Sequence, residues 1–163
     1  FDLTHGTEPL GLELEVTEGL LLRNSEPVRQ QLKALKDLGV AIVLDDFGTG
    51  YSSLSYLWQF RFDKIKIDQS FVRALGTNGD VPSILSAIIA LGRALKMTIL
   101  AEGIETPAQA ERLRQMGCEL FQGYLYSKPV PAAKAGELIT VAAANNSAGM
   151  FRQYRPARTH RPR

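Results

Sequence analysis

The chain alternates short strand-like segments with longer helix-like segments, and this alternation restricts the possible folds more than any other feature. Five segments have the two-residue period or the continuous apolar run typical of β-strands: 11–16, 40–44, 62–67, 97–101 and 118–122. Strands that alternate with helices favour right-handed crossovers and therefore a parallel sheet. Such a sheet either closes into an eight-stranded barrel or stays open as a doubly wound sheet.

The segments between the predicted strands have the spacing of amphipathic helices. Apolar residues three or four positions apart predict helices over 28–38, 53–60, 84–95 and from Pro131 onward. A further helix has explicit end signals, because Thr106 and Gln109 form a capping box with Pro107 at the first helical position. Gly117 is suited to the left-handed residue that ends this helix.

The chain of 163 residues has a globular composition and a basic carboxyl terminus. Hydrophobic residues make up 45% and charged residues 22%, which is typical of a folded domain. The last twelve residues contain no acid and five arginines: Arg152, Arg155, Arg158, Arg161 and Arg163. Without these arginines the formal net charge falls from +2 to −3. We therefore expect one domain over 1–144 and a disordered tail over 145–163. A nucleic-acid-binding arm is the less favoured interpretation of the tail, and no specific nucleic-acid binding is expected.

No membrane segment or secretion leader is predicted from the sequence. The longest apolar stretch, 84–91, is much shorter than the roughly 20 residues that span a bilayer, and no charged and then apolar leader opens the chain. The single cysteine, Cys118, excludes an internal disulfide and suits a reducing compartment. The two histidines, His5 and His160, are too few and too far apart to favour a zinc site. We expect a cytoplasmic protein.

Charged and amide side chains lie at the carboxyl ends of all five predicted strands. In chain order they are Glu15, Glu18, Asp45, Asp46, Lys66, Asp68, Glu102, Glu105 and Gln122. Because parallel strands bring their carboxyl ends to one edge, these side chains are expected to converge at a ligand site. Carboxylates packed this closely repel one another unless a cation neutralises them, and Mg²⁺ or Mn²⁺ prefers such oxygen ligands. The adjacent Asp45 and Asp46 could share two ions, an arrangement used in phosphoester hydrolysis.

Two neighbouring features fit a site that handles phosphate. Residues 46–53 form a glycine-containing loop that precedes a predicted helix. The loop residues after Asp46 are Phe47, Gly48, Thr49 and Gly50. Lys66 could orient a water, deprotonate it, or neutralise the acids around it. Lys64, on the same strand, is expected to form a structural ion pair with Glu13 or Asp63.

Five motifs in the chain resemble those of the EAL domain family. They are LEVTE (14–18), LDDFGTGYSSL (44–54), KIKIDQSFV (64–72), AEGIET (101–106) and QGYLYSKP (122–129). Members of this family are bacterial phosphodiesterases that cleave cyclic di-GMP to the linear dinucleotide with Mg²⁺ or Mn²⁺. Their fold is a modified eight-stranded α/β barrel. The resemblance therefore implies a TIM-like (β/α) barrel, incomplete in this chain, with about five of the eight strands.

The resemblance also implies roles for individual residues. It implies metal-ligating carboxylates at Glu15, Asp45, Asp46 and Glu102. Asp45 would bridge two ions, Lys66 would hold or activate the attacking water, and Glu102 would also act as the base. Contact with substrate or support of the site would come from Gln122, Glu105, Glu18 and Asp68. Glu18 would do so by anchoring the loop after Asp46, which implies a homodimer through that loop. Sensory or cyclase domains are expected upstream in the parent protein.

Two features of the family pattern have no counterpart in this sequence. The Glu-Ala-Leu motif and an asparagine ligand on the next strand would both lie upstream of Phe1. Barrels of this type have about 250 residues, so the chain resembles the carboxyl-terminal two thirds of a domain. We expect metal-dependent hydrolysis of cyclic di-GMP by a complete domain. The alternatives are a non-catalytic cyclic di-GMP receptor, a protein-interaction module, and an inactive truncated fragment.

Overall fold

The computed structural model describes residues 11–22, 26–48, 57, 60–76 and 79–145. The strands are β1 Glu13–Thr17, β2 Ala41–Phe47, β3 Lys64–Ile67, β4 Thr98–Ala101 and β5 Leu120–Phe121. The helices are α1 Glu18–Leu22, α2 Glu26–Asp37, α3 Gln69–Arg73, α4 Val81–Ala94, α5 Pro107–Met116 and α6 Ala132–Asn145, with a 3₁₀ turn at Ala74–Gly76. The chain divides into two compact units, one ending at Tyr126 and the other starting at Ser127. The sheet belongs to the first unit and α6 to the second.

The strands form one parallel sheet whose spatial order equals the chain order, β1-β2-β3-β4-β5. A doubly wound sheet reverses its strand order at a switch point, and no reversal occurs among the described strands. The sequential order is that of a (β/α) barrel. Of the two architectures that the residue pattern left open, the barrel type is therefore the one observed. Each predicted strand overlaps an observed one, and β5 is the most shortened, with two residues.

Side-chain alternation gives the sheet an apolar face and a polar face. Leu44, Ile65 and Ile99 are neighbours in register across β2, β3 and β4, and none is more than 1% exposed. Helix α4 packs on this face so closely that a Cβ atom on Gly92 would lie 2.0 Å from Ile99 Cδ1. The alternate positions of β3 carry Lys64 and Lys66, which are buried on the opposite face. The charged chemistry of the sheet therefore lies on the face away from α4.

The predicted helix ends are confirmed for α5. The Thr106 hydroxyl accepts a hydrogen bond from Gln109 N, and the Gln109 side chain accepts one from Thr106 N. The helix ends at Gly117, which has a φ of 96°. Helices α2, α4 and α6 overlap the helices predicted from apolar spacing. Helices α1 and α3 were not predicted, because five residues are too few to give a clear 3.6-residue period.

Two predicted segments fall mostly outside the described residues. Of the helix predicted over 53–60, the structure describes Leu57 and Phe60 alone. Of the predicted tail over 145–163, it describes Asn145 alone, as the last residue of α6. None of the described helices is long and apolar enough to cross a lipid bilayer.

The polar face of the sheet has a first layer of ion pairs near the amino-terminal ends of the strands. Lys64 Nζ lies 2.7 Å from both carboxylate oxygens of Glu13, which confirms that predicted pair. Asp63 meanwhile lies 2.8 Å from Lys36 Nζ and accepts the Ile42 N–H at 2.8 Å. Asp63 therefore joins helix α2 to strand β2.

Candidate metal centre at the carboxyl ends of the strands

An irregularity in β2 brings two consecutive carboxylates to one site. Leu44 pairs with Ile65 and Phe47 pairs with Ile67, so β2 advances by three residues while β3 advances by two. This extra residue is a β-bulge, and Asp46 within it has a φ of 55°. Side chains of consecutive residues in a regular strand point to opposite faces. In the bulge, by contrast, carboxylate oxygens of Asp45 and Asp46 lie within 4.8 Å of each other.

Lys66 on β3 forms ion pairs with three carboxylates from different parts of the chain. Its Nζ lies 2.9 Å from Glu15 Oε2, 2.9 Å from Asp45 Oδ1 and 2.8 Å from Glu102 Oε1, and its side chain is 7% exposed. Burial lowers the pKa of the ammonium, but the hydrogen bonds to these carboxylates outweigh burial and raise the pKa above its ordinary value. Lys66 is therefore an ammonium among these carboxylates, and its charge is available to neutralise them.

Two carboxylates at the site have a raised pKa. Burial, followed by repulsion from Asp45, raises the pKa of Asp46, and the charge of Lys66 only partly opposes this. Burial also raises the pKa of Glu102, against the hydrogen bond from Lys66. With Glu15 included, four carboxylates surround one ammonium. The site therefore has an excess of negative charge that Lys66 does not neutralise.

The donor set fits a hard divalent cation. Oxygen atoms of Asp45, Asp46 and Glu102 all lie within 4.8 Å of one another, and the three residues are partly buried. Mg²⁺ and Mn²⁺ are bound in proteins by carboxylate oxygens together with water. These three residues could therefore hold such an ion, with Glu15 beside them through its contact with Lys66.

Three further predicted residues lie at the same end of the sheet in different surroundings. Glu18 begins α1 directly after β1 and is 6% exposed, and its carboxylate oxygens have no hydrogen-bond partner in the described part of the chain. Asp68 caps α3 by accepting the Ser70 N–H at 2.9 Å. Burial raises the pKa of Asp68, but the hydrogen bonds from Ser70 outweigh it and lower the pKa. Glu105 is exposed and lies 4.0 Å from Arg73 Nη2.

Gln122 follows β5 at this end of the sheet, and its backbone holds it there. Its N–H donates to Ala101 O at 2.9 Å, and its carbonyl accepts from Ile104 N at 3.0 Å. These bonds extend the pairing of β4 with β5 past Glu102. The Gln122 side chain is exposed, so that its amide is accessible to a ligand.

The loop after Asp46 is described at its start. Phe47 ends β2 and is 5% exposed, and Gly48 follows with a φ of 95°. The remaining predicted loop residues, Thr49 and Gly50, lie outside the described residues. The apolar side chain of Phe47 therefore holds the start of the loop in the core next to Asp46.

Helix α3 makes contacts with this site that were not predicted from the sequence. Its residue Phe71 lies against Gly48, and its residue Gln69 lies against Gly103. Each of these glycines has a positive φ and follows a site carboxylate within two residues. The glycines themselves were the signal available in the sequence, but nothing local indicates which helix meets them.

The chain matches the EAL domain family model over residues 3–129. It is 47% identical over 130 residues to the bifunctional diguanylate cyclase/cyclic di-GMP phosphodiesterase MucR of Pseudomonas aeruginosa. That alignment covers 80% of this chain and 19% of the relative, so the chain spans about a fifth of the length of MucR.

Two solved structures are similar to the chain in sequence and in three dimensions. One is the PaMucR phosphodiesterase in complex with c-di-GMP, with a TM-score of 0.74 and 46% identity over 78% of this chain and 52% of that chain. The other is BlrP1 of Klebsiella pneumoniae, solved with cyclic di-GMP and either calcium or manganese. Its TM-score is 0.67, with 39% identity over 72% of this chain and 30% of that chain.

Proposed function

The chain belongs to the EAL domain family, and on this premise we propose that it supplies the cation-binding part of a cyclic di-GMP phosphodiesterase. The reaction is hydrolysis of a phosphodiester bond of cyclic di-GMP to the linear dinucleotide, with Mg²⁺ or Mn²⁺, in bacterial second-messenger signalling. Support comes from MucR, which is named as a phosphodiesterase of this dinucleotide, and from BlrP1, which was solved with the dinucleotide and manganese.

The main support for this proposal is the cluster of three carboxylates at the carboxyl ends of β2 and β4. Asp45, Asp46 and Glu102 lie close enough together to share one cation. Among the described residues, four carboxylates lie around one buried ammonium, and a divalent cation would neutralise the net negative charge that they leave. A purely structural ion-pair network would not need this excess of acid, because a balanced pair is more stable.

The residues of the site have distinct tasks in this reaction. Glu15, Asp45, Asp46 and Glu102 would hold one or two divalent cations. A cation bound there supplies charge stabilisation of a phosphoryl oxygen and lowers the pKa of water. Lys66 supplies positive charge among the acids, and because its three N–H donors already face three carboxylates, it would donate to the attacking water or to the phosphate in place of one of them. Glu102, whose pKa is raised by burial, is the carboxylate assigned as the base.

A receptor that binds cyclic di-GMP without cleaving it is the second candidate function. The position of Glu15 favours it, because this side chain is 51% exposed and does not belong to the closely spaced carboxylate group. The three carboxylates that lie within cation-binding distance of one another, Asp45, Asp46 and Glu102, would then hold the cation without Glu15. Binding of the dinucleotide would then depend on one weakly held cation.

Calorimetric titration of the 163-residue chain distinguishes these functions. Mn²⁺ is titrated first, cyclic di-GMP second, and the nucleotides are then separated by chromatography. Binding followed by appearance of the linear dinucleotide supports the phosphodiesterase, whereas binding without cleavage supports the receptor. Absence of Mn²⁺ binding contradicts both. Asp37→Asn is the control for loss of a carboxylate outside the site, because Asp37 is exposed on α2 and pairs with Lys33. This variant should bind Mn²⁺ as the wild-type chain does.

Three narrower proposals accompany this function. The chain is cytoplasmic, because the buried thiol of Cys118 suits a reducing compartment. It is joined to sensory or cyclase domains in its parent protein, as the name and length of MucR indicate for that relative.

The chain also forms a homodimer through the loop after Asp46. Equilibrium sedimentation that finds monomer alone in a folded sample would contradict this proposal.

A further inference from the structure

Helix α3 contacts both backbone segments that follow the carboxylates of the candidate metal centre. It begins at Gln69, directly after Lys66, Ile67 and the capping residue Asp68. Its five residues therefore start three positions after Lys66, the central lysine of the site. The helix is short, but it is anchored in the hydrophobic core, because Val72 on it is completely buried.

The first contact lies beside the two aspartates. A Cβ atom on Gly48 would be 2.8 Å from Cε2 and 2.8 Å from Cζ of Phe71, so the Phe71 ring lies directly against the Gly48 backbone. Phe71 is itself packed against the hydrophobic core. Gly48 and Asp46 both have positive φ angles, with the buried Phe47 between them. The ring thus limits how far this irregular backbone can move away from the sheet.

The second contact lies beside Glu102. A Cβ atom on Gly103 would be 2.5 Å from Cβ and 3.3 Å from Cα of Gln69. These atoms belong to the helix backbone or are directly attached to it, so side-chain rotation cannot relieve the contact. The Glu102 N–H also donates to Ile67 O at 3.1 Å, which ties the same segment to the end of β3.

We propose that α3 acts as a spacer that sets the separation between the Asp45–Asp46 carboxylates and the Glu102 carboxylate. Phe71 and Gln69 are positioning residues, which act on the carboxylates through Gly48 and Gly103. The inference rests on the proposed cation-dependent function, because a fixed spacing between carboxylates matters only if they share a ligand. Loosening either contact gives the backbone segment beside the carboxylates more freedom, so that their separation is no longer fixed and cation binding weakens.

Mn²⁺ affinity of the full chain tests this spacer. Phe71→Leu keeps an apolar side chain but removes the ring from Gly48, and Phe60→Leu is the matched control. Phe60 is also partly buried against the core, but it lies beside Phe62, before β3. We expect Mn²⁺ binding about tenfold weaker for Phe71→Leu and changed less than about twofold for Phe60→Leu. Equal affinities of the two variants would overturn the proposal.

A second pair of variants covers the case in which Phe71→Leu does not fold. Gln69→Gly removes the Cβ that lies against Gly103, and Ser70→Gly is the control at the next position of the same exposed helix end. The two substitutions have similar backbone costs, but Gln69→Gly alone removes the glycine contact. We expect weaker Mn²⁺ binding for Gln69→Gly than for Ser70→Gly, and equal binding would overturn the proposal.

Hydrogen exchange of the cation-free chain separates this proposal from the proposed function. The Glu102 amide is the probe for Gln69→Gly, and the Asp46 amide, which donates to Asp45 Oδ1 at 3.1 Å, is the probe for Phe71→Leu. Each should exchange faster than in its control variant after correction for global stability. A wild-type chain that binds no Mn²⁺ contradicts the proposed function. The exchange rates still decide whether α3 holds these segments, and unchanged rates overturn the spacer.

Discussion

Lys64 and Lys66 are two residues apart on the same strand and equally buried, but they differ in the number of carboxylates that surround them. The Lys64 side chain is 8% exposed and lies against both oxygens of one carboxylate, that of Glu13. The Lys66 side chain is 7% exposed and pairs with three carboxylates, while a fourth, Asp46, lies within reach of its charge. One layer of the polar face is balanced in charge, and the next layer has an excess of acid.

The comparison shows how a sheet separates stability from function. The pair of Glu13 and Lys64 links β1 to β3, and its two charges balance without a ligand. The layer at the carboxyl ends of the strands has an excess of acid. Burial, together with repulsion from neighbouring carboxylates, raises the pKa of both Asp46 and Glu102. A bound divalent cation would neutralise this excess.

Replacement of each lysine should give the largest difference in stability between the two layers. In EDTA, Lys66→Met should lower the free energy of unfolding by about 3 kcal/mol, because it leaves several partly buried carboxylates without a counter-charge. Lys64→Met should lower it by about 2 kcal/mol, because Glu13 is 34% exposed and partly hydrated. Saturating Mn²⁺ should restore stability to Lys66→Met alone. Urea denaturation with and without Mn²⁺ measures this, and equal restoration of both variants would contradict the comparison.

Loss of one carboxylate should affect cation binding far more than folding. Asp45→Asn removes a negative charge that lies close to the carboxylates of Asp46 and Glu102 and also contacts Lys66. We expect Mn²⁺ affinity to fall by about 100-fold or more, since loss of outer contacts to a metal site alone costs 10- to 100-fold. The free energy of unfolding in EDTA should change by less than about 1 kcal/mol. Calorimetry and urea denaturation check the two parts, and near-normal affinity would exclude Asp45 as a ligand.

Asp46→Asn should stabilise the cation-free chain by about 1 kcal/mol at pH 7, because it relieves repulsion and asparagine tolerates a positive φ. The pKa of Asp46 is raised in the folded state. Its contribution to stability is therefore fully present below the ordinary carboxyl pKa of about 4 and is lost as the pH rises through the raised value. The stability difference between variant and wild type should thus grow with pH above about 4 and then level off. A difference independent of pH would contradict this.

The smallest effect on cation binding is expected in the balanced layer. Glu13→Gln replaces the carboxylate beside the buried Lys64 ammonium with a neutral acceptor and should lower the free energy of unfolding by about 2 kcal/mol. Mn²⁺ affinity should not change, because Glu13 pairs with Lys64 rather than with the closely spaced group. A loss of Mn²⁺ affinity as large as that of Asp45→Asn would mean that the two layers are not independent.

Much of the fold could be predicted from local patterns. The period-two and apolar segments located all five strands, and the capping box at Thr106 with Gly117 located both ends of α5. The general rule for parallel sheets then brought Asp45, Lys66 and Glu102 to one edge. These features depend on side chains close in sequence, or on a rule that holds for any parallel sheet.

Other features depended on contacts between distant segments. The open choice between a barrel and a doubly wound sheet was decided by the pairing of whole strands. The number of carboxylates around Lys66 could not be predicted either, because it depends on which segments of the chain meet at β3. Helix α3 was missed because five residues contain little more than one helical turn.

The sequence by itself determined which residue types stand at the end of each strand, and therefore that an acidic, lysine-containing edge would form. Only the tertiary structure decided how those residues meet. The bulge at Asp45 and Asp46 appears when β2 is aligned with β3, and the contacts of α3 with Gly48 and Gly103 join segments far apart in the chain. The physical reason is that strand register and backbone contact are set by partners that no local pattern encodes.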